Sequence, residues 1–127
     1  MYNQKHRFEL VLAAAALIAT LDVYQEDELF KHAKEMSSYW EDALHSLRDT
    51  KHVIDVRNLG LVAGVEMETR DGKPGARGYD VFTDGFHNHN ILLRFTGDTL
   101  ALSPPLIAGK EHIDQMVDIL RKIIPIH

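Results

Sequence analysis

The sequence predicts an α+β domain: a small, mainly antiparallel sheet with helices on one face. Three observations carry this expectation. Apolar residues at helical spacing give way to short β-branched or alternating runs after residue 52, and helical spacing returns at the end. Those short runs are joined by glycine- and asparagine-bearing turns rather than long crossovers. The order helix, helix, strand, strand, helix, strand, strand, helix mixes the two classes without strict β-α-β alternation. A chain of 127 residues is read as one domain, with residues 1–7 a flexible lead-in and 8–127 the folded unit.

The first predicted helix runs from Phe8 to Tyr24, rich in alanine and leucine. It is apolar nearly all round, so it is expected to be buried by a partner or a larger domain. Its apolar run, Leu10 to Ala19, falls well short of the ~20 residues that span a bilayer, and no cleavage pattern follows that would make it a secretory signal. The second helix, about Asp27 to Arg48, places Leu29, Phe30, Ala33, Met36, Trp40, Ala43, Leu44 and Leu47 on one face at spacings of three and four. Lys31, Lys34, Glu35, Glu41 and Asp42 fall on its wet face. Val53 onward and Leu61 to Met67 read as a hairpin turning at Arg57-Asn58-Leu59-Gly60. Asp71 to Gly75 is a loop. A third helix, about Arg77 to His87, turns Tyr79, Phe82 and Phe86 inward. Ile91 to Phe95 and Thr99 to Ser103 are short strands about the Thr96-Gly97-Asp98 turn, and Pro104-Pro105 stops the second. The last helix spans about Lys110 to Ile124, with Ile113, Met116, Val117, Leu120 and Ile124 on one stripe.

Apolar residues make up 45% and charged residues 26%, with a net charge of -5 and mixed signs, so no nucleic-acid footprint is present. Without cysteine there is no disulfide framework, thiol nucleophile or cysteine-based zinc site, which fits the expected cytoplasmic location. Neither membrane nor nucleic acid is expected as a partner.

Arg94 is the most informative single residue. Flanked by Leu92, Leu93 and Phe95, it is expected to be partly enclosed and in need of an anion. Its planar fork suits a substrate carboxylate, but a salt bridge to Asp98 or to an acid on a neighbouring strand satisfies the same pattern. Glu66 is a structural partner for Arg57 or Arg94. Ser103-Pro104-Pro105-Leu106 reads as a rigid strand exit. His87 and His89, two apart, lie at a helix end and are read as exposed rather than metal-bound. His6, His45, His52, His112 and His127 read as solvent-facing or terminal. No nucleophile elbow, Walker loop or dinucleotide fingerprint occurs.

Taken together, three stretches resemble the small C-terminal domain of class III aminotransferases. They are A-A-A-A-L-I-A-T-L-D-V-Y (13–24), H-V-I-D-V-R-N-L-G-L-V-A-G-V-E (52–66) and the region 78–106 containing I-L-L-R-F-T-G-D-T-L-A-L-S-P-P-L. The similarity is to the ω-amino acid (β-alanine):pyruvate branch. It implies the C-terminal domain of a type I pyridoxal-phosphate fold, a homodimeric parent enzyme, and amino transfer to pyruvate giving alanine, with the cofactor carrying the chemistry. It also implies Arg94 as the substrate-carboxylate arginine, and no other residue that touches substrate or cofactor. The family's Schiff-base lysine, pyridine-nitrogen acid and phosphate-holding groups have no counterpart here, and none of the lysines lies in a matching context. Asn3 to Phe8 does not match the Ser-Gly/Ala-His-Pro type segment that should precede the alanine-rich helix. The resemblance therefore implies a truncated or rearranged arrangement in which this chain alone is catalytically incompetent and binds no pyridoxal phosphate. A homo-oligomer is expected, because the alanine-rich helix would otherwise be left bare. The alternative is a stand-alone module that binds a small carboxylate or self-associates.

Overall fold

A computed structural model of the chain describes residues 3–127, with side chains from residue 9 onward. It contains four α-helices, one antiparallel sheet and a final 3-10 turn, in the order α1 (Asn3–Glu26), α2 (Leu29–His45), β1 (Val53–Leu59), β2 (Val62–Met67), α3 (Ala76–His89), β3 (Arg94–Thr96), β4 (Thr99–Leu102) and α4 (Lys110–Ile123). α1 begins at Asn3, so residues 3–7, expected as a flexible lead-in, continue its helical backbone. Residues 1 and 2 lie outside the described residues.

The sheet order is β1-β2-β4-β3, antiparallel throughout. The segment through α3 carries the chain to the far edge, and β4 returns between β2 and β3. The β1–β2 hairpin closes at the Leu59↔Val62 pair, so Gly60-Leu61 is the turn. Asn58 pairs with Ala63 inside the ladder, two residues later than the turn expected from its asparagine. β3 is shorter than expected: residues 91–93 lead into it without joining the ladder.

One face of this sheet makes the core. Val56, Ala63, Val65, Met67, Leu100 and Leu102 point to it, and Val65 pairs with both Val56 and Leu100. The period of two puts every second side chain of each strand on that side. α2 covers it with Met36, Trp40 and Leu44, α3 with Val81, and α4 with Ile113, Val117 and Leu120. Two polar ties bracket the α2–α4 seam. The Tyr39 hydroxyl donates to Asp114 Oδ1 at 2.6 Å, and Arg121 donates to the Ser46 carbonyl at 3.2 Å and its Oγ at 2.7 Å. The cation thus sits at the negative end of α2. Arg48 Nη2 donates to the Val56 carbonyl at 3.3 Å, which covers part of the open edge of β1.

Some apolar residues read as inward are not. Phe30 is 63% exposed and stacks edge-on against Tyr24 beside the α1–α2 turn. Tyr79 and Phe86 are about half exposed, because the buried stripe of α3 runs through the smaller Gly78, Val81 and Gly85, leaving Phe82 only partly covered. α1 was expected to need a partner or a larger domain to bury it, and within this chain Leu10, Val11, Leu12, Leu17, Ile18, Leu21 and Val23 are all exposed. Its packing onto the rest of the chain is confined to the end next to α2. No helix among the described residues is long and apolar enough to cross a membrane.

Leu100 lies at the centre of the core with no exposed surface. Leu100→Ala is expected to lower unfolding free energy by about 2–5 kcal/mol, read by urea titration of the fluorescence of Trp40, the single tryptophan. A loss below half a kcal/mol would mean the helices do not close on this face.

Candidate functional site

The second face of the sheet carries no helix, and its residues line up in rows across the four strands. One row is Arg94, Ala101, Gly64, Arg57; the next is Thr96, Thr99, Glu66, Asp55. The first row ends in an arginine at each edge with small residues between, and the second carries its two acids, Glu66 and Asp55, toward the β1 edge.

Arg57 and Arg94 differ in how their charge is met. Arg57 Nη1 donates to Asp55 Oδ2 and to Glu66 Oε2, both at 2.7 Å. These two carboxylates, Glu66 first, raise the Arg57 pKa above the already high guanidinium value. The side chain reaches Glu66 by lying across Gly64: a Cβ there would stand 3.6 Å from Arg57 Nε and 3.6 Å from Thr99 Cγ2. The R-x-x-G-L-x-x-G-x-E pattern is thus a unit, in which the arginine passes over the last glycine at contact distance to reach the glutamate. Of the two partners expected for Glu66, the structure selects Arg57.

Arg94 was expected to be partly enclosed, and it is exposed. The alternation of β3 explains this: Leu93 is buried and Leu92 and Arg94 face outward. The salt bridge to Asp98 does not form, and the Arg94 side chain has no hydrogen bond or ion pair among the described residues. Glu66, the nearest acid of the face, is engaged by Arg57.

Asp98 is occupied elsewhere. It is 8% exposed, and its carboxylate accepts from the backbone N–H of Gly75 at 2.9 Å and of Gly78 at 3.0 Å. These are unpaired donors of the first turn of α3, where a negative charge also meets the positive end of the helix dipole. Burial alone would raise the Asp98 pKa. The Gly75 and Gly78 amides, the Thr69 hydroxyl and the Arg77 amide together hold it below the usual carboxylate value. The approach is close enough that a Cβ on Gly78 would fall 2.3 Å from the Gly97 carbonyl. Arg77, itself buried, donates from Nε to the Glu68 carbonyl at 2.6 Å, tying the same helix start to the end of β2. The β3–β4 turn that follows Arg94 is thereby fastened to α3. Sequence reading missed Asp98 and Arg77 in these roles. Aspartate is a favoured helix cap, but here it caps a helix 20 residues earlier in the chain, and no local spacing signals that.

A surface cavity of about 500 Å³ is bounded by Leu92, Leu93, Pro104, Ile107, Met116 and Ile119 and reaches Ala101 of this face; Arg94 is not part of it. Pro104 and Pro105 line its wall, as a rigid strand exit should. Four histidines read as solvent-facing have partners: His112 Nδ1 accepts from the Gly109 N–H at 3.2 Å, and three more meet side chains. His45 meets Asn58 Oδ1 at 3.0 Å, His52 meets Glu68 Oε2 at 3.1 Å, and His127 meets Asp84 Oδ2 at 2.9 Å. His87 is exposed in the last turn of α3, and His89 lies 3.8 Å from Asp84. The side chain of His6 lies outside those described. Among the described residues no group of three or more histidine, aspartate or glutamate side chains is placed to hold a metal ion.

A transaminase solved with L-alanine superposes on 88% of this chain with a TM-score of 0.81 and 32% identity, the match covering 28% of that structure. The family model for class III aminotransferases matches residues 11–124. An omega-aminotransferase of Caulobacter vibrioides is 55% identical over 113 residues, covering 89% of this chain and 26% of the relative. The beta-alanine–pyruvate aminotransferase of Pseudomonas aeruginosa is 36% identical over 111 residues, covering 84% and 24%. The chain belongs to the class III aminotransferase family, and it spans about a quarter of the length of these curated relatives.

The family implies pyridoxal phosphate in the whole enzyme. The side chains described here do not fit that group. Imine formation uses a lysine whose ammonium is destabilised by a desolvated or cationic setting. Lys31, Lys34, Lys51, Lys73, Lys110 and Lys122 are all exposed.

Asp98 carries a signed pH dependence. Because its folded pKa lies below the ordinary value of 3.8, its contribution is fully present above that value and is lost as pH falls through the lowered one. Asp98→Asn is expected to cost about 1–3 kcal/mol at pH 7 and progressively less below pH 3.8. Urea midpoints of both proteins at the two pH extremes check this; a gap that widens in acid would refute it. Gly78→Ala, which drives a Cβ onto a backbone oxygen, is expected to destabilise by at least about 2 kcal/mol in the same titration.

Proposed function

We propose that this chain is the carboxylate-binding segment of an ω-amino acid:pyruvate transaminase, with Arg94 as the residue that holds the substrate carboxylate. The observation that carries this reading is the unequal charge compensation of the open face. Two acids neutralise Arg57, while Arg94 lies exposed in the opposite corner with its donors unused among the described residues. A guanidinium fork in that state binds a carboxylate through two parallel hydrogen bonds. Its neighbour across the ladder is Ala101, a methyl group that leaves the fork approachable. The β-alanine–pyruvate and ω-amino acid–pyruvate relatives support pyruvate as the acceptor.

In this reading the chain orients the acid group of donor or acceptor, and the pyridoxal chemistry is performed by residues other than these. Pyridoxal phosphate supplies the electron sink of the reaction when bound in a whole enzyme. The 127-residue chain by itself is inactive, and a homodimeric whole enzyme is part of the same proposal.

The test has two arms. With pyridoxal phosphate, β-alanine and pyruvate added, the chain is expected to form no alanine; steady alanine production would overturn the incompetence. Pyruvate titrated into labelled protein is expected to shift the Arg94 guanidinium resonance with millimolar affinity. Arg94→Ala should abolish binding and Arg94→Lys should weaken it severalfold, since an ammonium makes no fork. Binding unchanged in Arg94→Ala would remove Arg94 from the site.

A further inference from the structure

α4 begins without a side chain at its cap. Gly109 is extended there, with φ -95° and ψ 178°, and offers no side-chain oxygen to the free amides of the first turn. The side-chain bond at this helix start runs the other way. His112, at the third helical position, accepts the Gly109 N–H on Nδ1 at 3.2 Å. This is the returning half of a capping box, a place that glutamate or glutamine ordinarily fills. An imidazole fills it on one condition: Nδ1 must carry a lone pair, so the ring is neutral with its proton on Nε2.

A second histidine holds the same segment without that condition. His32 of α2 meets the Ala108 carbonyl through Nε2 at 3.1 Å. A carbonyl only accepts, so His32 donates, and its charged ring donates as well as its neutral one. Ala108 is buried, and its own N–H donates to the Pro105 carbonyl at 2.9 Å. The 105–109 loop is thereby closed on itself, tied at Ala108 to α2 and at Gly109 to α4. Pro105, Ile107, Ala108 and His112 all wall the surface cavity, and His112 is the one ionisable side chain in that wall.

We propose that His112 is a pH-sensitive latch on the 105–109 loop, shut while its ring is neutral and released when the ring gains a proton. Protonation turns Nδ1 from acceptor to donor, so it faces the Gly109 N–H donor to donor and the bond is lost. It also sets a positive charge in the first turn of α4, at the positive end of the helix dipole. The charged groups nearby are otherwise placed. On α4, Glu111 projects ~100° away round the helix, Lys110 stands over the Tyr39 ring at 4.9 Å, and Asp114 accepts from the Tyr39 hydroxyl. On α2, His32 is held by Ala108, and Glu28 is engaged by Lys31. On the sheet side, the wall from Asn90 to Leu93 and from Ala101 to Ser103 has no ionisable residue. Histidine changes charge between about pH 5 and 8. Because the His32 bond persists in acid, release frees Gly109 and the start of α4 while Ala108 stays anchored.

Nitrogen NMR of the 127-residue chain reads the ring directly. Near neutral pH, His112 is expected as the Nε2–H tautomer; the Nδ1–H tautomer would overturn the proposal. Amide exchange, corrected for its intrinsic pH dependence, reads the latch. Between about pH 7.5 and about pH 5.5, protection of the Gly109 N–H is expected to fall about fivefold, the loss of one helix cap. The amides of the β2–β4 ladder should hold over the same range. His112→Gln, whose amide oxygen accepts in acid as in base, is expected to keep Gly109 protected throughout and so to lose the pH response. His32→Gln, which still donates to Ala108, is expected to retain that response. A Gly109 amide indifferent to pH would overturn the proposal. So would a response that survives His112→Gln, or one that disappears in His32→Gln.

Discussion

Asp98 stands where a helix start and a tight turn meet, and its carboxylate ties the two together. The first turn of α3 needs acceptors for its free amides, and the β3–β4 turn needs something to hold it against the body of the protein. A single buried carboxylate does both, on condition that the helix begins with glycines. Gly75 adopts φ +80° at the cap, and Gly78 lets the backbone of the turn come within contact of the helix. The segment from β3 through β4 is therefore positioned by α3 as well as by its ladder. Arg94, which begins this segment, inherits that placement although none of its own side-chain contacts fixes it.

The open face extends the same economy of means to charge. Its two arginines sit at opposite ends of one row, separated only by Ala101 and Gly64. Arg57 is closed off by Asp55 and Glu66, so the face offers one unmatched cation and not two. The contrast between the arginines comes from strand register. Glu66 pairs with Asp55 across the ladder, which gathers both acids at the β1 edge within reach of Arg57.

The fold was legible because helical and strand periods differ sharply. Trp40, Leu44, Val65, Leu100, Ile113 and Leu120 all lie in the core where their spacing puts them. The pairing of Arg57 with Glu66 was also within reach, since both belong to one hairpin. Less could be read where contacts join distant segments. Asp98 was read as a partner for its near neighbour Arg94, while its true partners are amides on another element. The enclosure of Arg94 was inferred from apolar neighbours, but in a strand the adjacent Leu93 and Phe95 point the other way and Leu92 lies exposed. Phe86 and Tyr79 were read inward by size, although α3 packs on its glycines. α1 was judged by composition alone, which says that a helix should be covered and not by what.

The two faces of β4 serve different ends. Leu100 and Leu102 are locked into the core, whereas Thr99 and Ala101 look outward beside Arg94. The hydrophobic interior is thus built on one side of the strand and the chemistry of the open face on the other. Substitutions at 94, 96, 99 and 101 can accumulate without eroding the hydrophobic interior. The outward row can thus change in charge and shape while the interior that holds it in place stays the same.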